Sequence, residues 1–219
     1  MSLARDDEPV VDQPVALDGR ALGSRGTRTR RRLLDATATL LETHGIRDLR
    51  VVDIARRVET SPATFYQYFR DVEDAVLALA DEVGESTAPL LAVLGGSWDA
   101  DGALDSARAL VEGFVDFWDL NRAVLRTRNL AAQEGDRRFR DVRNRALGPF
   151  TEGLAAHVRA AQHAGRVAPE LSPAAAGAAL VALLERMAAF HLDLEPLGIE
   201  RAALVETTAR IIHQTVAGS

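Results

Sequence analysis

From Thr27 onward the apolar residues recur at helical spacings almost without interruption, and this regularity decides the fold class. Leu33, Leu34, Thr37, Leu40, Leu41 and His44 fall on one face of a helix, with Gly45 placed to end it. Val51, Ile54, Ala55 and Val58 form a second, short stripe, and Val72, Ala75, Val76, Leu79, Ala80 and Val83 a longer one. No segment shows the strict alternation and Gly-Asn turns of a hairpin. The chain is expected to be all-α, with about nine helices. With 219 residues, 47% of them hydrophobic, it can bury a sizeable core.

Further helices are expected from Val72 through Gly84, bent by Pro89 and stopped by Gly95-Gly96, then over about 103–119 and 122–133. A long one follows over about 136–164 with a kink at Pro149, then one from Pro173 to Leu192 and one from Glu200 to Val216. The stretch Ala174–Ala189 is small and apolar nearly all round, broken by Glu185 and Arg186. A helix apolar on every side must be covered on every side. A second copy of the chain is the expected cover, with burial in the monomer core as the alternative.

Charge is unevenly placed. The net charge is -6, yet residues 1–19 set one Arg against Asp6, Asp7, Glu8, Asp12 and Asp18, while residues 20–70 hold 11 Arg against five acids, a net of +6. Polyanion binding follows the local field rather than the total. Three parts are expected: a flexible acidic tail over 1–24, a basic module over 25–70, and an acidic helical body over 71–219. All 26 basic residues are Arg, which coding bias explains without special chemistry.

The chain lacks cysteine, which excludes disulfides, thiolate zinc sites and cysteine nucleophiles. No apolar run approaches the roughly 20 residues that span a bilayer, and the acidic start, Met1–Pro9, does not read as a signal peptide. A cytoplasmic protein with no membrane partner is expected. The five histidines form no H-E-x-x-H pair, and neither a G-x-S-x-G elbow nor a phosphate loop occurs. No catalytic residue, metal site or cofactor is therefore expected. His44 reads as a cap on the first helix.

Residues 51–58 and 61–69 carry the functional signal. They read as two short helices with a two-residue break, Ser61 as N-cap and Pro62 at the first helical position. Ala55 is small enough to let the second helix cross closely. This is helix-turn-helix spacing, in which the second helix enters the major groove. Ala63, Thr64, Tyr66, Gln67 and Tyr68 offer hydroxyls, an amide and two rings but no charge, whereas Phe65 and Phe69, four apart, face inward.

The segment Thr27–Leu79 resembles the DNA-binding domain of the tetracycline-repressor (TetR/AcrR) family of transcription regulators. The resemblance rests on Leu33-Leu34-Asp35-Ala36, His44-Gly45, Asp53-Ile54-Ala55 and Ser61-Pro62-Ala63-Thr64-Phe65-Tyr66-Gln67-Tyr68-Phe69, then Glu73, Ala75, Val76 and Leu77. It implies that Thr64, Tyr66 and Tyr68 contact phosphates with help from Ser61, and that Ala63 and Gln67 face base edges, Gln67 toward adenine and Ala63 toward a thymine methyl. Arg25, Arg28, Arg30, Arg31 and Arg32 would add salt-sensitive backbone contacts. Two departures stand out. Glu59 occupies the turn where the family has Gly, and Val72 replaces the family's Lys, leaving Arg70 as a substitute.

The resemblance further implies a ligand-responsive regulator, most often a repressor, that binds a palindromic operator as a homodimer and is released by a small apolar effector. Phe114, Phe117, Trp118, Phe139, Phe150, Met187 and Phe190 are the candidates to line its pocket, with Asn129, Gln133, His157 and His191 to orient a ligand. The homodimer is expected through the helices at about 173–192 and 200–216. The Arg137, Arg138, Arg140, Arg143 and Arg145 group reads as a solvated face rather than an anion site. An all-α enzyme, or a protein–protein adaptor with an arginine-rich docking module, is the alternative.

Overall fold

The computed structural model describes residue 17, residues 19–96, residue 98 and residues 102–218. The expected tail over 1–24 therefore lies mostly outside the described residues. Among the described residues there are nine α-helices: α1 (Ser24–Leu41), α2 (Val51–Arg57), α3 (Pro62–Phe65), α4 (Val72–Glu85), α5 (Ala88–Leu94), α6 (Ala103–Gln133), α7 (Arg137–His163), α8 (Pro173–Leu194) and α9 (Arg201–Ala217), with a 3-10 turn at Glu195–Leu197. The chain divides into two compact units, the first ending at Val76 and the second beginning at Leu77, so the division falls inside α4.

In the first unit Leu33, Leu34, Ala36, Thr37 and Leu41 of α1 are buried with Ile54 and Ala55 of α2 and with Phe65 and Phe69. Thr37 is spared an unpaired hydroxyl because its Oγ1 donates to the Leu33 carbonyl at 2.8 Å. α1 stops at Leu41, one turn before Gly45, and His44 closes it: its backbone N–H donates to the Leu40 carbonyl at 3.0 Å, and its Nδ1 lies 3.2 Å from the same oxygen.

The end of α2 is a Schellman motif. The Thr60 N–H donates to the Ala55 carbonyl and the Glu59 N–H to the Arg56 carbonyl, with Glu59 in the left-handed region at φ 55. That position favours glycine, since a Cβ there costs about 1 kcal/mol. The Val58 carbonyl is taken by Arg32, which donates from α1 at 2.9 Å. Thus a side chain of α1 fixes the turn that aims α3.

The helix expected over 61–69 is much shorter. α3 ends at Phe65 and the chain continues in turns, with Gln67 donating to Thr64 and Tyr68 to Phe65 through i+3 bonds.

The second unit packs α6, α7, α8 and α9 around Leu110, Phe114, Trp118, Phe150, Leu154, Leu184 and Ile212, all buried. Two expected helices, 103–119 and 122–133, run together as α6 with a kink at Asn121, whose φ of -118 and ψ of 16 leave the helical region. The Asn121 amide donates to the Phe117 carbonyl at 2.9 Å and so holds the chain together across the kink. The expected bend at Pro89 is instead a break: α4 ends at Glu85 and Pro89 occupies the first turn of α5, where its missing N–H leaves no bond unmade. Pro149 lies within α7.

α8 begins at an N-cap, Ser172, whose hydroxyl accepts from Ala175 N–H, and it passes α7 closely. A Cβ on Gly177 would overlap the Thr151 carbonyl oxygen and stand 3.1 Å from Ala155 N, which explains glycine there. By length and composition alone Pro173–Leu197 is long and apolar enough to cross a membrane, while Glu185 and Arg186 keep it from being an unbroken apolar run. Ala176, Leu180, Val181, Leu184 and Ala188 are buried within the unit, while Ala174, Ala175, Ala178, Ala179 and Ala182 are exposed.

Candidate nucleic-acid interface

Ser61 builds the start of α3. Its Oγ accepts from Thr64 N–H at 3.2 Å and lies 3.1 Å from the Thr64 hydroxyl. Phe65 and Phe69 pack with their rings tilted at 5.4 Å between centres and anchor the segment in the core. With that side fixed, helical geometry turns Pro62, Ala63, Tyr66 and Gln67 outward; all four are exposed, and Thr64 and Tyr68 are half-buried. The Tyr66 ring stands edge-on to Phe65 at 5.8 Å and is 51% exposed, so neither of the chain's two tyrosines belongs to the core.

Beside this surface lies a cleft of about 740 Å³ lined by Arg25, Arg28, Thr29 and Arg32 of α1, by Glu59 and Thr60 of the turn, and by Thr64, Gln67 and Tyr68. Three guanidiniums against one carboxylate give it a positive field, and hydroxyls and amides give it donors that fit phosphate oxygens. The other arginines of the module are arranged differently. Arg31 pairs with Asp35 at 2.8 Å, and Arg30 lies over the Phe69 ring at 5.4 Å. Arg70, expected to stand in for a phosphate-binding lysine, holds Asp74 through both its backbone N–H at 3.0 Å and its guanidinium at 3.1 Å. It braces the first turn of α4 as well as facing solvent.

The residues expected to line an effector pocket in the second unit do not form one group. Phe114 meets Phe150 edge-on at 5.4 Å and Phe117 at 6.3 Å, and Trp118 is buried in the same core. Asn129 is engaged elsewhere: its amide donates to Glu185 Oε1 at 3.0 Å and its carbonyl oxygen accepts from Arg128 at 3.0 Å. His191 is buried with Nδ1 2.9 Å from the Ala188 carbonyl and Nε2 3.3 Å from Asp119. Phe190 is exposed under the Arg186 guanidinium at 3.6 Å, and Met187 is half-buried nearby on α8.

The sequence reading missed the group at the centre of this unit. Glu185 of α8 accepts from Arg128 of α6 at 3.1 Å and pairs with Arg143 of α7, tying three helices. Burial pushes Arg128 down to about 10, against the pull of Glu185 and with the push of Arg143, so it stays charged at neutral pH. The only signal in the sequence was an acid inside an otherwise apolar stripe. Of the arginine group on α7, Arg138 pairs with Asp136 and Arg145 with Asp81, each at 2.7 Å, leaving Arg137 and Arg140 exposed.

A helix-turn-helix that presents an uncharged polar surface beside an arginine-lined cleft, followed by a separate helical unit, defines a DNA-binding transcription regulator. The chain belongs to the tetR family of bacterial regulatory proteins: the family's DNA-binding model matches residues 33–79, and the tetracyclin repressor-like C-terminal domain matches 91–219. An uncharacterized HTH-type transcriptional regulator of Haemophilus influenzae is 26% identical over 132 residues, 60% of this chain and 63% of its own length. Among solved structures, the fatty acid degradation regulator FadR of Bacillus halodurans is similar at 16% identity, covering 91% of this chain and 98% of that one with a TM-score of 0.64. FadR of Bacillus subtilis, solved with stearoyl-CoA, is similar at 15% identity over 86% and 98% of the two chains, TM-score 0.65. NalD of Pseudomonas aeruginosa, the secondary repressor of the MexAB-OprM efflux pump, is 18% identical over 87% and 98%, TM-score 0.63.

Proposed function

We propose that this regulator is a repressor that holds a palindromic operator as a homodimer and lets go when a small, largely apolar effector enters its C-terminal unit. The observation that carries the reading is the outward face of Pro62–Tyr68, polar yet uncharged, set against the cleft of Arg25, Arg28 and Arg32. Arginines there supply the sequence-independent, salt-sensitive part of binding, and Gln67 and Ala63 the part that distinguishes bases. Ser61, Thr64, Tyr66, Tyr68 and Arg28 position the segment on phosphates. Arg70 contributes once it lets go of Asp74.

The DNA-reading module is assigned to residues 25–70 and the effector and dimer unit to 71–219. Two copies meet through the faces of α8 and α9, which puts two reading segments on half-sites about one helical turn of DNA apart. Such a protein works in the cytoplasm. The aromatic group of Phe114, Phe117, Trp118 and Phe150 is the largest apolar surface an effector could meet once the helices part, and Asn129, Met187, Phe190 and His191 lie on the helices that would rearrange around it. Repression is supported by NalD, and a fatty acyl effector by the stearoyl-CoA bound to the Bacillus subtilis protein. An effector shifts the equilibrium only by its differential affinity for the free and DNA-bound arrangements.

A mobility-shift assay on the DNA flanking its own gene tests the reading, with long-chain acyl compounds added to look for release. The Tyr66→Ala/Gln67→Ala variant should fold normally and lose the shift. A normal shift from that variant would remove these two residues from the interface.

A further inference from the structure

We propose that the arginine-lined cleft beside Gln67 is also the docking surface of this chain's own acidic N-terminal segment, which competes there with duplex phosphates. The inference rests on the DNA-binding reading above. Its first support is a backbone bond: the Leu17 N–H donates to the Gln67 carbonyl at 3.1 Å. That contact brings the chain preceding α1 onto the reading segment, at a residue that itself lines the cleft.

The second support is charge complementarity. Residues 1–16 carry Asp6, Asp7, Glu8 and Asp12 against Arg5, a net of -3, and Asp18 adds a further acid next to Leu17. Arg25, Arg28 and Arg32 line the cleft. A carboxylate and a phosphate make the same charge-assisted bonds to guanidinium, so the two polyanions draw on the same donors. Reach is not limiting: at about 3.3 Å per residue, a few residues upstream of Leu17 traverse a cleft of this size.

Tethering makes even a weak contact matter. A segment held next to its site acts at an effective concentration of about a millimolar or more, so a free-peptide affinity in that range already halves the open fraction. The competition is electrostatic and must fade with salt. The consequence is a regulator whose non-specific hold on DNA is lowered, while an operator that supplies base contacts at Gln67 still displaces the segment.

The experiment compares the full chain, the chain lacking residues 1–16, and the full-length D6N/D7N/E8Q/D12N variant. The probe is a fluorescein-labelled mixed-sequence duplex of about 30 base pairs, read by anisotropy at about 50 and 300 mM salt. Both altered proteins should bind about tenfold more tightly at the lower salt, with the gap shrinking to about twofold or less at the higher. Equal affinities, or weaker binding after truncation, overturn the proposal; the second result would make the segment a DNA-contacting arm. A gain that disappears when the full chain is diluted assigns the segment to a second copy and overturns the docking in cis. If none of the three proteins binds the duplex, it is the DNA-binding reading that fails. Amide NMR shifts of Arg28, Thr64, Gln67 and Tyr68 without DNA then decide the docking: the neutralised variant should move them, and unchanged shifts overturn it.

Discussion

Arg128 on α6 donates to Glu185 on α8 at 3.1 Å with their side chains only 3% and 8% exposed, and Arg143 on α7 grips the same carboxylate. Two guanidiniums share one carboxylate, so the group carries a net positive charge inside the helical unit. Removing the acid leaves two cations facing each other in a site that desolvates one of them. Glu185→Ala should therefore lower stability by about 3–5 kcal/mol, read as a shift in the urea midpoint of the circular dichroism signal. Pairing Glu185→Leu with Arg128→Met should recover much of that loss, since apolar replacement of a whole buried pair is often tolerated. A Glu185→Ala protein as stable as the parent would mean that water reaches the group freely.

The helices were visible because burial follows the 3.6-residue period: Leu33, Leu34 and Thr37 line one face and all are buried. The reading segment was visible because Ser61-Pro62 is a strong helix start and Phe65 and Phe69 dictate which side turns inward. Length was less legible. Nothing in Tyr66-Gln67-Tyr68 announces that the helix loosens into turns after Phe65, since the last turn of a helix often passes into i+3 bonding without a mark in the sequence. The unity of α6 was hidden because Asn121 reads as a stop, yet its amide bonds back to Phe117 and carries the chain through. The Glu185 group is half-legible for a different reason: an acid in an apolar stripe calls for a partner, but a pairing over 57 residues leaves no local trace of which one.

Glu59 offers a test of the turn itself. Its φ of 55 sits where glycine is favoured, and it is the sole non-glycine residue so placed among those described. Glu59→Gly relieves about 1 kcal/mol of backbone strain, partly offset by the greater freedom of glycine in the unfolded chain. A net gain of a few tenths to about 1 kcal/mol should appear in thermal unfolding. The same change removes the one carboxylate lining the arginine cleft, so duplex affinity at low salt should rise a few-fold. A loss of stability would show that the Glu59 side chain makes compensating contacts.

Between α6 and α9, Arg108 holds Glu206 at 2.6 Å, and the bond together with Arg210 takes the Glu206 carboxyl from 4.5 down to about 2. The lowered value means that this carboxylate favours the fold while ionised. Its contribution is complete above the ordinary carboxylate value of 4.5 and disappears as pH falls from there toward 2. A carbon-detected NMR titration should show Glu206 ionised at pH values where the exposed glutamates have taken up their protons. Arg108→Ala should move it back toward the ordinary range. If the wild-type carboxyl titrates with the other glutamates, the α6–α9 pair is open in solution.

The exposed side of α8 bears on assembly. Ala174, Ala175, Ala178, Ala179 and Ala182 form a strip without long side chains, flanked by Arg186 stacked on the exposed Phe190. In an isologous two-fold contact each residue meets the same patch of its partner, so one substitution is felt twice. In the homodimer proposed through α8, Ala178→Arg and Ala182→Glu should each leave a monomer, because a long charged side chain blocks close approach and is stripped of water twice over. Light scattering behind size exclusion reads the mass, and circular dichroism checks that the helices survive. Operator binding should fall with the mass, since one reading segment alone loses the second half-site. A substituted protein that still runs as a dimer at micromolar concentration would move the interface off this face of α8 and leave those alanines unexplained.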